Sequence, residues 1–439
     1  MTHAGFSGRL PDISRLLSAA LLALAWSAAT PGAARALTFD VVPIALKGDT
    51  IAGKTLSNIG DPSINNAGEV AFTGFFTGGS GIFTQSGAVA LPGDIIAGKT
   101  LDGFFSGITP SINGAGEVAF LGSFPGGFGS FTQSGAVALL GDTFAGKTLN
   151  GFSSNSSIND AGEVVFTGFF TGGTGIFTKS GAVESAVALL GDTIAGKTLF
   201  NFGGEVSINS SGEVAFTGVF PSPDSAGILT QSGAVALPGD TIAGTTLTGV
   251  FGNPSINDAG EVAFLGNFSG GTGVFTQSGA VALPGDTIDG TTLTSFGVGK
   301  PSINGAGEVA FRGTFSGGQS GIFTQSGAVA LFGDTIAGTT LTGFGSAPAI
   351  NDAGQVAFRG LFAGGGTGIF LATPLPVPGS TQANPLLPGS VVCTADCVFT
   401  IPIAVAPGGL GDLVPVFIDP PPAVGSNTRS IRPSRCSLR

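Results

Sequence analysis

Between Leu37 and Thr373 the chain writes one unit of about 48 residues seven times. Each unit reads roughly S-I-N-x-x-G-E-V-A-F, then G-I-F-T-Q-S-G-A-V-A-L, then G-D-T-I-A-G. The Asn of the first motif recurs at Asn65, Asn113, Asn159, Asn209, Asn257, Asn304 and Asn351. A fixed period of this length calls for a repeat architecture, and that constraint outranks any local propensity. The register of the cut narrows it further. The first unit opens on Val41-Val42-Pro43-Ile44-Ala45-Leu46-Lys47-Gly48-Asp49, which matches the A-V-A-L-x-G-D stretch that closes other units. The seventh stops at Gly368-Ile369-Phe370-Leu371 without that stretch. In a ring, the first strand can complete the last unit and remove both open edges. The expected fold is all-β: a seven-bladed β-propeller over 37–373, closed by the N-terminal strand.

Local chemistry supports about four short strands per unit. In Ile64-Asn65-Asn66-Ala67-Gly68-Glu69-Val70, Asn starts a turn through its own side chain and Gly68 takes the left-handed residue. Glu69 to Gly74 alternates as a half-buried strand, and Gln85-Ser86-Gly87-Ala88 reads as a tight hairpin. Phe72, Phe120, Phe166, Phe216, Phe264, Phe311 and Phe358 share one repeat position. Phe83, Phe131, Phe177, Phe275, Phe323 and Phe370 share another, with Leu229 in the fourth unit. Stacked sheets bury such faces between neighbours, so these rings are read as core in preference to a ligand ladder.

Residues 1–36 read as a signal peptide: Arg9 and Arg15 precede an apolar run from Leu16 to Ala29, and Ala34-Arg35-Ala36 places cleavage after Ala36. The run is short for a membrane span. Without this segment the chain has no His, Trp, Tyr or Met, and its net charge goes from −11 to about −13. That acidity argues against nucleic acid and anionic membranes as partners. Lack of His removes His-assisted nucleophiles and His metal sites. Lack of Trp and Tyr counts against a lectin.

Four stretches, beginning with Gly48-Asp49-Thr50-Ile51-Ala52-Gly53-Lys54-Thr55, satisfy the phosphate-loop pattern; the others are 93–100, 141–148 and 191–198. A phosphate cradle needs a helix to follow, and Leu56 to Pro62 is a poor helix start. Thr245, Thr291 and Thr339 replace the Lys in the last three units. An inter-strand turn without nucleotide is expected. Asp49, Asp94, Asp142, Asp192, Asp240, Asp286 and Asp334 occupy one repeat position and are weak calcium candidates. Glu69, Glu117, Glu163, Glu213, Glu261 and Glu308, with Gln355, occupy another. The plainer expectation is Asp as turn former and Glu as solvated strand residue. Paired carboxylates could in principle hydrolyse glycosides, but these acids recur unit after unit, whereas an active site usually breaks the symmetry. The irregular insertions, Glu184-Ser185-Ala186 and Pro221-Ser222-Pro223-Asp224, are small.

The tandem motif, from Asn65-Asn66-Ala67-Gly68-Glu69-Val70-Ala71-Phe72 to Asn351-Asp352-Ala353-Gly354-Gln355-Val356-Ala357-Phe358, resembles that of secreted bacterial N-x-x-G-x-x-V-A-F repeat proteins with interchangeable C-terminal anchors. The resemblance implies export, extracellular or cell-surface placement and a propeller-like fold, and brings no enzyme activity with it.

Beyond the repeats, 374–389 is a Pro-rich linker and 390–428 a small β segment in which Cys393 and Cys397 could form a disulfide, with Cys436 left over. The tail 429–439 carries four Arg. It reads as a truncation or frameshift, or as a basic tail gripping an acidic surface; no apolar span of about 20 residues precedes it. The expected function is an exported, non-enzymatic and monomeric module for protein or polysaccharide interaction. The alternatives are a structural surface protein without a specific ligand and, more remotely, a carboxylate-based glycoside hydrolase.

Overall fold

The computed structural model describes residues 39–375 apart from 106, 153–154, 222–225 and 298. These fall in one unit, Met1–Pro378. The expected signal peptide, the Cys393–Cys397 bridge, the small β segment and the tail lie outside the described residues. So does most of the linker.

The described chain is all-β, its single helical turn being a 3-10 turn at Ser316–Gly318. Blade 1 shows how one unit folds. After β1 (Phe39–Leu46) comes a hairpin of β2 (Thr50–Ile51) with the start of β3 (Lys54–Ile64). β4 (Val70–Phe76), β5 (Gly79–Thr84) and β6 (Gly87–Ala90) then add in sequence, each antiparallel to the last. Between β3 and β4, the Asn65 side chain accepts the amides of Ala67 and Glu69, while Gly68 sits at φ 80°. Gln85 pins the same turn by accepting from the Val70 amide and donating to the Gly68 carbonyl.

Seven sheets of this plan form a ring, with one hydrophobic cluster at each of the seven interfaces. Each blade offers a large face to one neighbour and a small face to the other. Phe120 and Phe131 of blade 2, for example, bury against Ala71, Ile82 and Ala90 of blade 1. The cross-strand partners Phe72 and Phe83 stack at 6.1 Å, and both are fully buried. Gly74 is required beside them, because a Cβ there would stand 2.7 Å from Leu56 and 2.8 Å from Phe83.

The ring closes as the register of the repeats implies. β1 is the outermost strand of blade 7, pairing with Gly366–Pro374 from Phe39↔Pro374 to Leu46↔Gly368. Even the irregularity matches: β1 bulges between Pro43 and Ala45, where β6 bulges opposite Ile82/Phe83. The bulge turns Phe39 and Val41 toward the blade 6–7 cluster and Ile44 and Ala45 toward the blade 7–1 cluster.

The hairpins that link blades hold a repeated strain. Ala52, Ala97, Ala145, Ala195, Ala243 and Ala337 sit at φ 47–50°, and Asp289 takes that place in one unit. The following Gly is also at positive φ, so this is the two-residue turn that suits Asn-Gly. A non-glycine residue there costs roughly 1–2 kcal/mol, less for Asn. Ala52→Asn is therefore expected to stabilise by about 1 kcal/mol, read as a higher denaturant midpoint with unchanged slope.

Candidate functional site

The inner strands line a central channel. Asn65 donates from Nδ2 to the carbonyl of Asn113 on the next blade, and each motif Asn repeats the step. Asn351 returns the series to Asn65 at 3.0 Å, so seven side-chain amides form a closed circuit running one way round the ring. These side chains are 3–5 % exposed. The N-x-x-G motif thus makes a turn and clasps neighbouring blades; the first role was legible in sequence and the second was not.

The other recurring acids are occupied locally. The seven calcium candidates, Asp49 to Asp334, each accept at Oδ2 the amide three residues earlier, from Leu46→Asp49 at 2.8 Å to Leu331→Asp334 at 2.7 Å. Each lies in its own turn, and no group of three or more potential metal-ligating acidic, His or Cys side chains occurs among the described residues. The Glu set differs from the solvated expectation. These residues are half-buried, with Glu69, Glu163 and Glu261 leaning over the glycine of the next blade's turn. The phosphate-loop matches are β-hairpins, as read, and their lysines have a different use. Lys54, Lys99 and Lys147 lie 5.1–5.2 Å above the rings of Phe76, Phe124 and Phe170. Of the insertions, Glu184 pairs with Lys179 at 3.4 Å across a lengthened outer hairpin; Ser222–Asp224 lies outside the described residues.

Symmetry breaks at the channel mouth, on the side of the blade-linking hairpins. Four residues before each motif Asn the seven units carry Asp61, Thr109, Asn155, Glu205, Asn253, Lys300 and Ala347. No other position so close to a near-identical motif varies from acid to base. Of these, all but Asn253 and Asp61 line a cavity of about 160 Å³, floored by the serines that follow two residues later. A network crosses the mouth. The Thr109 amide donates to Asn155 Oδ1 at 3.2 Å, and Asn155 Nδ2 to Glu205 Oε1 at 2.5 Å. Lys300 Nζ reaches Glu205 Oε2 at 3.4 Å from two blades away, and the Glu205 amide donates to Asn253 Oδ1 at 2.8 Å. Asn155 is 6 % exposed. On the far side, Asp61 pairs with Arg359 at 2.9 Å and accepts from Ser346, which fastens blade 7 to blade 1.

A collar of isoleucines from the S-I-N motifs separates this cavity from a second opening at the Asn circuit. Asp160, Asp258 and Asp352 stand there on alternate blades. Each accepts a backbone amide from the preceding blade: Gly114, Ser210 and Gly305. They act as braces between blades.

Among solved structures the fold is similar to a catalytically inactive virginiamycin B lyase from Staphylococcus aureus with quinupristin, at 14 % identity over 77 % of this chain and 100 % of that one, TM-score 0.39. It is also similar to the Dos1 propeller, at 11 % identity over 72 % and 77 %, TM-score 0.36. A gluconolactonase from Xanthomonas campestris gives 10 % identity over 77 % and 97 %, TM-score 0.28. At such identities the likeness is one of fold. No curated protein matches the sequence. No helix among the described residues is long and apolar enough to cross a membrane. The model of a family of unknown function, DUF7453, matches residues 39–336, more than half of the chain, and the chain belongs to that family.

Proposed function

We propose that this propeller is an exported, non-enzymatic recognition module that binds a protein or polysaccharide at the channel mouth. The observation that carries the reading is the single register position, Asp61 to Ala347, whose chemistry differs blade by blade on a frame otherwise repeated almost verbatim. Binding residues sit disproportionately on irregular segments held by a rigid scaffold, and unlike side chains gathered at one rim are what a specific surface is made of. Export and surface placement rest on the leader-like residues 1–36 and on the resemblance to exported N-x-x-G-x-x-V-A-F repeat proteins. The non-enzymatic reading is supported by the local occupation of the recurring acids and by the pairing of Glu205 with Lys300.

The test uses labelled full-length protein on intact bacterial cells and on extracted surface material, with calcium present and then chelated. Saturable retention that Lys300→Glu weakens at least tenfold is expected, with no effect of chelation. Retention indifferent to every substitution at the mouth, or absent, would remove the recognition reading and leave a structural surface protein.

A further inference from the structure

Resting on that reading, we infer that the mouth accepts the end of a neutral sugar chain, one hexose-sized ring deep. Size is the first argument. The cavity of about 160 Å³ is close to the roughly 150 Å³ that takes a single benzene ring, so it seats one ring of a ligand and is too small for a helix.

Charge is the second. Glu205 and Lys300 are the charged residues that line the cavity, and they pair at 3.4 Å. The lining therefore offers no uncompensated charge to repay the desolvation of an ionic ligand. An acidic glycan would also meet an acidic chain, net charge −11.

The third argument is the pattern of hydrogen-bonding groups. Ser111, Ser207, Ser255 and Ser302 each accept, at Oγ, the Ile amide of the next blade at 3.2–3.4 Å. Their hydroxyl protons are left to donate. Serine hydroxyl donors from four blades, with the Asn155 amide and the Glu205 carboxylate acceptor beside them, suit a ligand that carries a hydroxyl on nearly every carbon.

The fourth is an aromatic ledge. Phe105, four residues before Thr109 in the same inner segment, is 37 % exposed and meets Phe128 edge-on at 5.6 Å. Phe128 in turn meets Phe152 at 5.8 Å, so the exposed ring is backed by others. Phe105 does not line the cavity; its ring is offered to the part of a sugar chain that projects beyond the seated ring, in a chain without Tyr and with its one Trp at position 26.

Full-length protein would be titrated calorimetrically with neutral oligosaccharides (gluco-, manno-, galacto- and chito-series), with uronate oligomers and with a tripeptide library. Ala347→Phe narrows the mouth, Phe105→Ala removes the ledge, and Asp160→Asn at the opposite opening is the control. Saturable binding of a neutral series is expected, weakened at least tenfold by both mouth variants and unchanged by the control. Uronate or peptide binding that Ala347→Phe abolishes would overturn the sugar assignment and keep the mouth as a binding site. No titration sensitive to either variant would overturn both. Phe105 is exposed, so its variant keeps the test valid if Ala347→Phe fails to fold.

Discussion

A chain lacking Phe39–Leu46 is expected to lose cooperative unfolding and to aggregate, while a chain carrying the same eight residues after Pro374 folds normally. β1 buries Ala45 fully and Phe39, Val41, Ile44 and Leu46 in part, across two blade interfaces. At about 1 kcal/mol for each half-buried apolar side chain and each net backbone hydrogen bond, its removal costs about 8 kcal/mol. That is comparable to the whole stability of an ordinary domain, about 5–15 kcal/mol. It also bares the edge of Gly366–Pro374, which holds the fully buried Ile369, Phe370 and Ala372, and invites strand pairing between molecules. Relocation isolates the cause. Pro374 and Phe39 are cross-strand partners, so a short turn can join them and leave a new start at Lys47. Thermal unfolding followed by circular dichroism checks both: one sharp transition for the relocated chain, a broad or absent one for the deletion. A sharp native-like transition in the deletion would refute closure by β1.

The second large effect belongs to the Asn circuit. Asn209→Ala removes the donor to the buried Asn257 carbonyl and the acceptor of the part-buried Ser211 and Glu213 amides, and leaves those groups without this partner. At about 1 kcal/mol per net bond, with a desolvation penalty above that, the expected cost is about 3 kcal/mol. Asn209→Asp separates the turn from the clasp. It keeps the acceptor and the shape, and sets a carboxylate against the Asn257 carbonyl. Burial and the facing Asn257 carbonyl push its pKa above the unfolded value of about 3.9, while the Ser211 and Glu213 amides that it accepts pull it down. The pH dependence reads out which prevails. If the rise prevails, the sign is fixed. A carboxyl raised in the native state binds its proton more tightly there, so the variant gains stability as pH falls through that raised pKa. Denaturant midpoints measured from neutral to mildly acidic pH should converge on wild type for Asp and stay apart for Ala.

How much of this was readable beforehand depends on whether the information is local or radial. The blade count, the closing strand, the Phe faces and the hairpins follow from periodicity and turn chemistry, which a linear sequence states directly. The Asn–Asn clasp needs neighbouring inner strands at the right radius, and no spacing within a unit encodes that. The same limit applies to Glu69, whose contact is the next blade's glycine. The mouth was different. Its signal, six residue types over the seven positions that lie four before each Asn, lay in the aligned units, but the insertions drew the reading to Glu184 and Pro221. Length changes on the outer rim were less informative than chemistry changes on the inner one.

The pairing of Phe39 with Pro374 also decides how the ring meets mechanical load. Tension pulling these two points apart acts across adjacent strands at one end of their ladder. It breaks the hydrogen bonds in turn, as a zip opens, instead of shearing all of them at once. A pull applied at both of these points would open the seventh blade first, while the Asn351–Asn65 link on the inner rim still holds. The propeller would yield at its outer latch before its axle.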